Sequence, residues 1–260
     1  MSSKLKISIT NIKIYQQIIP FFFIGIFLFF VSLAFGSDDL PLIVVDPGHG
    51  GTDCGATGYY KTTEKEISLS LSLCLKKKLA HKYHVILTRE SDTYKSLLDR
   101  TATANYHQPI AFISLHVGAS FRLEPEGIAT YYWQPCNSIF FFDEDELAEK
   151  KYDNDINHPP LWDHLQRNHL YSSKFLAEII HQNILSEVEI YDRKVRGAPI
   201  FVLTGADVPA ILIETGYITQ PQEENKLLRN VFLDKIAQGI SGGLEEYLKK
   251  IAYDNKKSLQ

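Results

Sequence analysis

The 260-residue chain is missing the parts that several common enzyme classes require. No G-x-S-x-G nucleophile elbow occurs, and the glycine-rich turn "DPGHGG" at 46–51 has no Lys-Ser/Thr behind it. A serine hydrolase of the elbow type and a P-loop nucleotide site therefore fail on parts. Positive charge is also short. Three of the 27 lysines and arginines (Lys4, Lys6 and Lys13) fall in the first 36 residues, which leaves 24 against 31 acidic side chains and a formal charge of −7 for the rest. That balance speaks against a nucleic-acid partner. Cysteine is scarce and odd in number, so Cys54, Cys74 and Cys136 cannot all pair within the chain. Cys74 falls on an apolar helical stripe and reads as a small core residue. A Cys54–Cys136 bridge stays open in an oxidising compartment. No internal repeat or low-complexity stretch occurs, which argues against an appended repeat module.

What is present begins with a leader. Lys4, Lys6 and Lys13 precede an uncharged stretch rich in Phe and Ile that ends at "SLAFGSDD", with Ala34 and Gly36 three and one positions before Ser37. This is the layout of a secretory signal peptide over 1–36. The competing reading is a retained anchor, because no charge falls between Lys13 and Asp38 and a span needs roughly 20 apolar residues. Either reading exports the remainder to the periplasm or cell envelope, and membrane contact arises only if the leader is kept. Residues 37–260 are long enough for one α/β domain with a full core.

Apolar runs alternate with helical patterns along that domain. "LIVVD" at 42, "YHVILT" at 83, "IAFISL" at 110, "GIATYYW" at 127, "PIFVL" at 199 and "PAILIET" at 209 read as strands, several of them continuous enough to be covered on both faces. Helical stripes run through Ile67, Leu71, Cys74, Leu75 and Leu79, and through Leu176, Ile179, Ile180 and Leu185. A last helix is expected over 222–250, with Leu228, Phe232, Ile236, Ile240, Leu244 and Leu248 at one-turn spacing. The fold class is α/β, a mostly parallel twisted sheet flanked by helices on both faces. Residues 134–168 mix aromatics, an acidic run and a double proline, and are too long for an ordinary connection. They read as a surface insertion.

In open α/β sheets ligands bind beyond the carboxyl ends of strands. His49 follows the first strand, His116 follows "FISL", and Glu214 lies at the end of "AILIET". A fourth candidate starts a helix. In "TTEKEISL", Thr63 and Glu66 fit a capping box, while Glu64 shares a helical face with Ile67 and Leu71 and should point inward, where a carboxylate needs a partner and a cation would serve. Two histidines and a carboxylate make a common zinc shell, so His49, Glu64 and His116 are the expected ligands. Zinc would activate a water and polarise a carbonyl, with Glu214 as general base. Asp46 is a candidate for orienting His49. Arg100 and Asn105 tie a helix to its neighbours or meet substrate, and Arg196 is a candidate partner of Glu214, as is Arg229. Taken singly, each residue has a plainer reading. His49 could serve the turn, Glu64 the helix dipole, His116 a core hydrogen bond, and Glu214 an ion pair. Their placement at one sheet edge favours a site. The other histidines, His81, His84, His107, His158, His164, His169 and His181, read as non-ligands.

With these residues in view, the sequence resembles the zinc-dependent N-acetylmuramoyl-L-alanine amidases that cleave bacterial peptidoglycan, in the branch typified by the cell-division amidases. The resemblance runs from Leu42 to Leu248 through "DPGHGGTDCGATG", "EKEISL", "TRESDTYKSLLDRTATAN", "FISLHVGAS", "GIATYYW", "RGAPIFVL" and "PAILIETGYIT". It implies His49, Glu64 and His116 as zinc ligands and Glu214 as the catalytic glutamate. The implied reaction is hydrolysis of the amide between N-acetylmuramic acid and L-alanine. Val117-Gly118 stands where Ala-Asn is usual and Cys54 where proline is frequent, which bears on the pocket rim. The insertion falls where related division amidases carry a segment that blocks the site until a partner displaces it. This implies that the acidic stretch Asp143 to Glu149 offers a carboxylate to the metal and that an activator protein relieves it, against the plainer reading of a solvated loop. The rival functions are a zinc peptidase acting within the stem peptide and a wall-binding module with a degenerate site.

Overall fold

In the computed structural model, which describes residues 40–120, 126–135 and 165–258, each long apolar run divides its side chains between two cores. The elements are β1 (Leu42–Pro47), α1 (Glu64–Leu79), β2 (His84–Leu87), α2 (Leu97–His107), β3 (Ala111–Gly118), β4 (Ile128–Trp133), α3 (Leu165–Asn168), α4 (Leu170–Glu187), β5 (Asp192–Ala198), α5 (Phe201–Thr204), β6 (Ala210–Tyr217), α6 (Pro221–Leu227) and α7 (Asn230–Ser258). Ile43 and Val45 of β1 enter the larger core and Val44 the smaller. That is the period-two alternation of a strand covered on both sides. Ile113 and Leu115 of β3 against Phe112, and Ile211 and Ile213 of β6 against Leu212, repeat it. The larger core receives the stripes of α1, α4 and α7, while the smaller receives Ala104 of α2 and Val202 and Leu203 of α5.

The six strands run in the order β2-β1-β3-β6-β4-β5, with β4 antiparallel to β6 and every other neighbouring pair parallel. Strands β1, β3 and β6 therefore end at one edge. Register pairs Asp46 with Ser114 and His116 with Glu214, so the last two emerge side by side. The expected α/β class with a mostly parallel, helix-flanked sheet is the one observed.

Two expected elements differ. "PIFVL" is not a strand: Phe201–Thr204 is a short helix, and the strand lies just before it as Asp192–Ala198. β5 is an edge strand of charged, half-exposed residues, a composition that keeps an edge from pairing further and conceals it from an apolar-run reading. The last helix is two, parted at Leu228 and Arg229. Leu228 is 51% exposed, off the buried stripe of Leu233, Ile236, Ile240, Leu244 and Tyr247. The leader, Cys136 and most of the 134–168 segment, including Asp143 to Glu149, lie outside the described residues. So do the cleavage, pairing and blocking expected of them. Among the described residues no helix is long and apolar enough to cross a membrane.

Candidate metal centre

Three consecutive residues at the end of β1 adopt left-handed backbone: His49 at φ 59°, Gly50 at 128° and Gly51 at 60°. A Cβ on Gly50 would sit 2.3 Å from the Thr93 carbonyl, so the turn that carries His49 needs glycine there for both conformation and space. The turn closes on itself through Gly50 N–H to Asp53 O (2.8 Å) and Asp53 N–H to Gly50 O (3.1 Å).

Two buried arginines hold this turn by its carbonyls. Arg100 of α2 donates to Pro47 O (2.7 Å) and His49 O (2.8 Å), and Arg89 donates to Pro47 O (3.0 Å) and Gly48 O (2.6 Å). Asp46 does not touch the His49 ring. Strand alternation sends its fully buried carboxylate toward α2, where it accepts from Arg100 (2.8 Å), Thr88 (2.5 Å) and Ser114 (2.8 Å). It supports His49 only through Arg100, and removing it would strand a buried guanidinium at a cost of about 3–5 kcal/mol. The side chain that meets the ring is Asp53, whose Oδ2 lies 2.8 Å from His49 Nδ1. This leaves Nε2 facing the centre, the usual way a carboxylate orients a ligating imidazole.

Glu64 opens α1, with Glu66 accepting from the Thr63 N–H (2.9 Å) and O–H (2.8 Å) as the local cap. The buried Glu64 carboxylate accepts from Ala56 N–H (3.0 Å) and Val117 N–H (3.0 Å), and its oxygens lie 3.1 Å from His49 Nε2 and 2.9 Å from His116 Nδ1. Burial favours its protonated form, but hydrogen bonds and charge from His116 and His49 outweigh this and hold its pKa well below the usual carboxylate range. For His49, burial works against the charged form, yet Glu64 and Asp53 together raise its pKa.

One ligating atom each from His49, Glu64 and His116 lies within 4.8 Å of the others, and the two imidazole rings are 5.0 Å apart and edge-on. Two imidazole nitrogens and a carboxylate oxygen, with His49 held from behind by Asp53 and Glu64 by the Ala56 and Val117 N–H groups, suit a divalent cation of borderline softness. Glu214 stands next to His116 in register. Its Oε2 is approached by the hydroxyls of Tyr131 (3.3 Å) and Tyr217 (3.4 Å). Burial and the charge of Glu64 raise its pKa against the pull of those phenols and of His116, and the Tyr131 hydroxyl is itself pushed up to about 12 by burial and by Glu214.

The remaining candidates do not join the three converging donors. Arg196 is exposed on β5 in register with Tyr131, where its charge opposes the rise in the Tyr131 pKa; its Nε donates to Arg193 O (3.0 Å), and among the described residues no ion pair joins it or Arg229 to Glu214. Asn105 bridges α2 to the loop after α5 through Gly205 O (2.8 Å) and Asp207 N–H (2.8 Å). His181 is buried between Thr130 and Asp192, and His169 pairs with Asp207. Around the site stand Asp53, Arg89, Tyr131 and Tyr217, of which long-range packing brings Arg89 and Tyr131. Only Asp53, four residues beyond His49 in the same glycine turn, carried a local signal.

The family model for N-acetylmuramoyl-L-alanine amidase matches residues 43–246. The chain is 33% identical over 235 residues to the N-acetylmuramoyl-L-alanine amidase AmiA of Escherichia coli (strain K12), covering 84% of this chain and 78% of AmiA. It superposes on the crystal structure of N-acetylmuramoyl-L-alanine amidase from Clostridium difficile 630 with a TM-score of 0.65 at 29% identity, covering 82% and 98% of the two chains. It also superposes on the CwlD amidase of Clostridioides difficile, solved in complex with the GerS lipoprotein, with a TM-score of 0.61 at 25% identity, covering 80% and 98%.

Proposed function

This chain belongs to the amidase_3 family of N-acetylmuramoyl-L-alanine amidases, and from that premise we propose that it uses zinc to hydrolyse the amide between N-acetylmuramic acid and L-alanine in peptidoglycan. His49, Glu64 and His116 hold the ion and Glu214 is the general base. One observation carries this reading: three donor atoms of zinc-type chemistry converge within 4.8 Å at a sheet edge, with a proton-acceptor carboxylate on the neighbouring strand.

When bound, zinc supplies Lewis-acid polarisation of the scissile carbonyl and lowers the pKa of a water toward about 7. The chain's own residues do the rest. Asp53 fixes the His49 ring with Nε2 inward, and Glu64 stays ionised between the two histidines. Both phenols meet Oε2 of Glu214, which leaves Oε1 to take the proton of the attacking water. Glu214 then returns that proton to the departing amine as the C–N bond breaks and the new C–O bond remains. The products are a lactyl carboxylate on the glycan and a free L-alanine amine on the peptide.

The same reading takes 1–36 as an export leader and places the protein in the cell envelope, where its substrate lies. It also takes 134–168 as a regulatory segment relieved by a protein activator; that the CwlD amidase was solved in complex with the GerS lipoprotein supports a protein partner. Digestion of purified peptidoglycan by the metal-loaded protein tests the reaction. Mass analysis is expected to give glycan strands free of peptide together with stem peptides of unchanged length. Shortened peptides still attached to glycan would instead make it a peptidase acting within the stem.

A further inference from the structure

Between Ala56 and Glu64 the chain doubles back and lifts two aromatic rings into solvent. Thr57 and Thr63 pair as an antiparallel bridge, Gly58 N–H donates to Thr62 O (2.9 Å), and Lys61 N–H donates to Gly58 O (3.2 Å). At the tip Tyr59 is 69% exposed and Tyr60 53%, their rings edge-on with centroids 5.1 Å apart. The base of the turn is part of the candidate centre. Ala56 N–H donates to the Glu64 carboxylate, and Glu64 N–H donates to Ala56 O (2.8 Å). Three residues take the backbone from Ala56 to Tyr59 and span at most about 11 Å, so the tip of the turn stays within roughly that reach of Ala56.

A single exposed tyrosine needs no explanation, but this turn is pinned at a cost. Glu224 of α6 is fully buried, and among the described residues no cation pairs with it. Its carboxylate is satisfied by Tyr60 N–H (2.9 Å) and Thr62 N–H (3.2 Å). A Cβ on Gly58 would meet that carboxyl at 2.3 Å, so the turn seats directly on it. Burying a carboxylate is unfavourable unless its lone pairs are taken up. Here that arrangement orders a turn whose two aromatic side chains touch each other and solvent. Rings held this way lose little freedom on contact, which is what a preorganised binding surface requires.

We propose that Tyr59 and Tyr60 form a stacking platform for the glycan strand, receiving the C–H faces of sugar rings next to the N-acetylmuramic acid that is cut. The proposal rests on the amide-cleaving reading, which supplies the substrate class, and the platform is continuous with that site through Ala56 and Glu64. The chemistry favours sugar over stem peptide. Flat uncharged rings suit sugar faces, whereas peptide carboxylates would call for several cations and the tip offers Lys61 alone.

The test compares the full chain with its Tyr59→Ala/Tyr60→Ala double variant. Affinity for peptide-free glycan strands is expected to fall about tenfold or more, which is the effect of roughly 1.4 kcal/mol. KM on intact peptidoglycan should rise by a similar factor, while the rate on N-acetylmuramoyl-L-alanyl-D-isoglutamine, which has no neighbouring sugar, stays unchanged. Both rings are exposed, so the thermal midpoint should not move. Equal glycan affinity in the two proteins would overturn the proposal, as would a loss confined to free stem peptide. A Tyr-dependent loss of glycan affinity in a protein that cleaves no amide would keep the platform and remove the reaction.

Discussion

Glu214→Gln is expected to keep its fold and its metal while cleaving purified peptidoglycan at least ~100-fold more slowly. The amide has the shape of the carboxylate, and its oxygen can still accept from Tyr131 and Tyr217 as Oε2 does now. It cannot take a proton. Glu214 stands beside His116 in register but is not among the three converging donors, so metal content measured by atomic absorption should match the unmodified protein. The pH profile gives a second sign. Burial and the Glu64 charge raise the pKa of Glu214, and a base works deprotonated, so kcat/KM should fall with decreasing pH at a limb above the ordinary carboxylate range. That limb should vanish in the variant. A Gln variant at near-normal rate would move the base elsewhere.

His116→Ala should fail earlier, at metal binding. It leaves Glu64 and His49 as two donors, and a zinc site that also keeps a position for substrate uses three. Metal content after dialysis is expected to fall from about one equivalent to below about 0.1, and turnover by about a thousandfold or more, the scale of several kcal/mol of lost carbonyl and water activation. Folding should survive. The side chain is 19% exposed at a strand end, and Glu64 keeps its bond from the Val117 N–H. His169→Ala supplies the control, since His169 pairs with Asp207 instead. If His116→Ala retains a full equivalent of metal, the centre is somewhere else.

The sequence made the converging residues legible because each sits where local pattern marks a position: His49 and His116 at the ends of apolar runs, Glu214 likewise, and Glu64 at a capped helix start. Strand order then brings β1, β3 and β6 to one edge. What supports these residues was hidden, because it depends on side chains meeting across long separations. Arg89 reaches back 41 residues to the Gly48 carbonyl, and Glu224 reaches 164 residues to Tyr60, from a helix turn where an acidic residue looks like ordinary dipole compensation. Asp46 misled for a related reason. Its nearness in sequence to His49 suggested direct support, but the alternation of β1 turns it toward α2 and Arg100. β5 leaves no apolar run to read, because an edge strand can be charged and half-exposed. The short helix at Phe201–Thr204 looks like a strand in sequence because four residues, with Val202 and Leu203 both apolar, are too few to show a helical period.

Anomalous diffraction at the zinc edge, from crystals of the protein grown with zinc, tests the central claim most directly. The account predicts one strong peak in contact with His49 Nε2, the Glu64 carboxylate and His116 Nδ1, on the side open to Glu214. A map with no peak among those three side chains, or with its strongest peak on other residues, would contradict it.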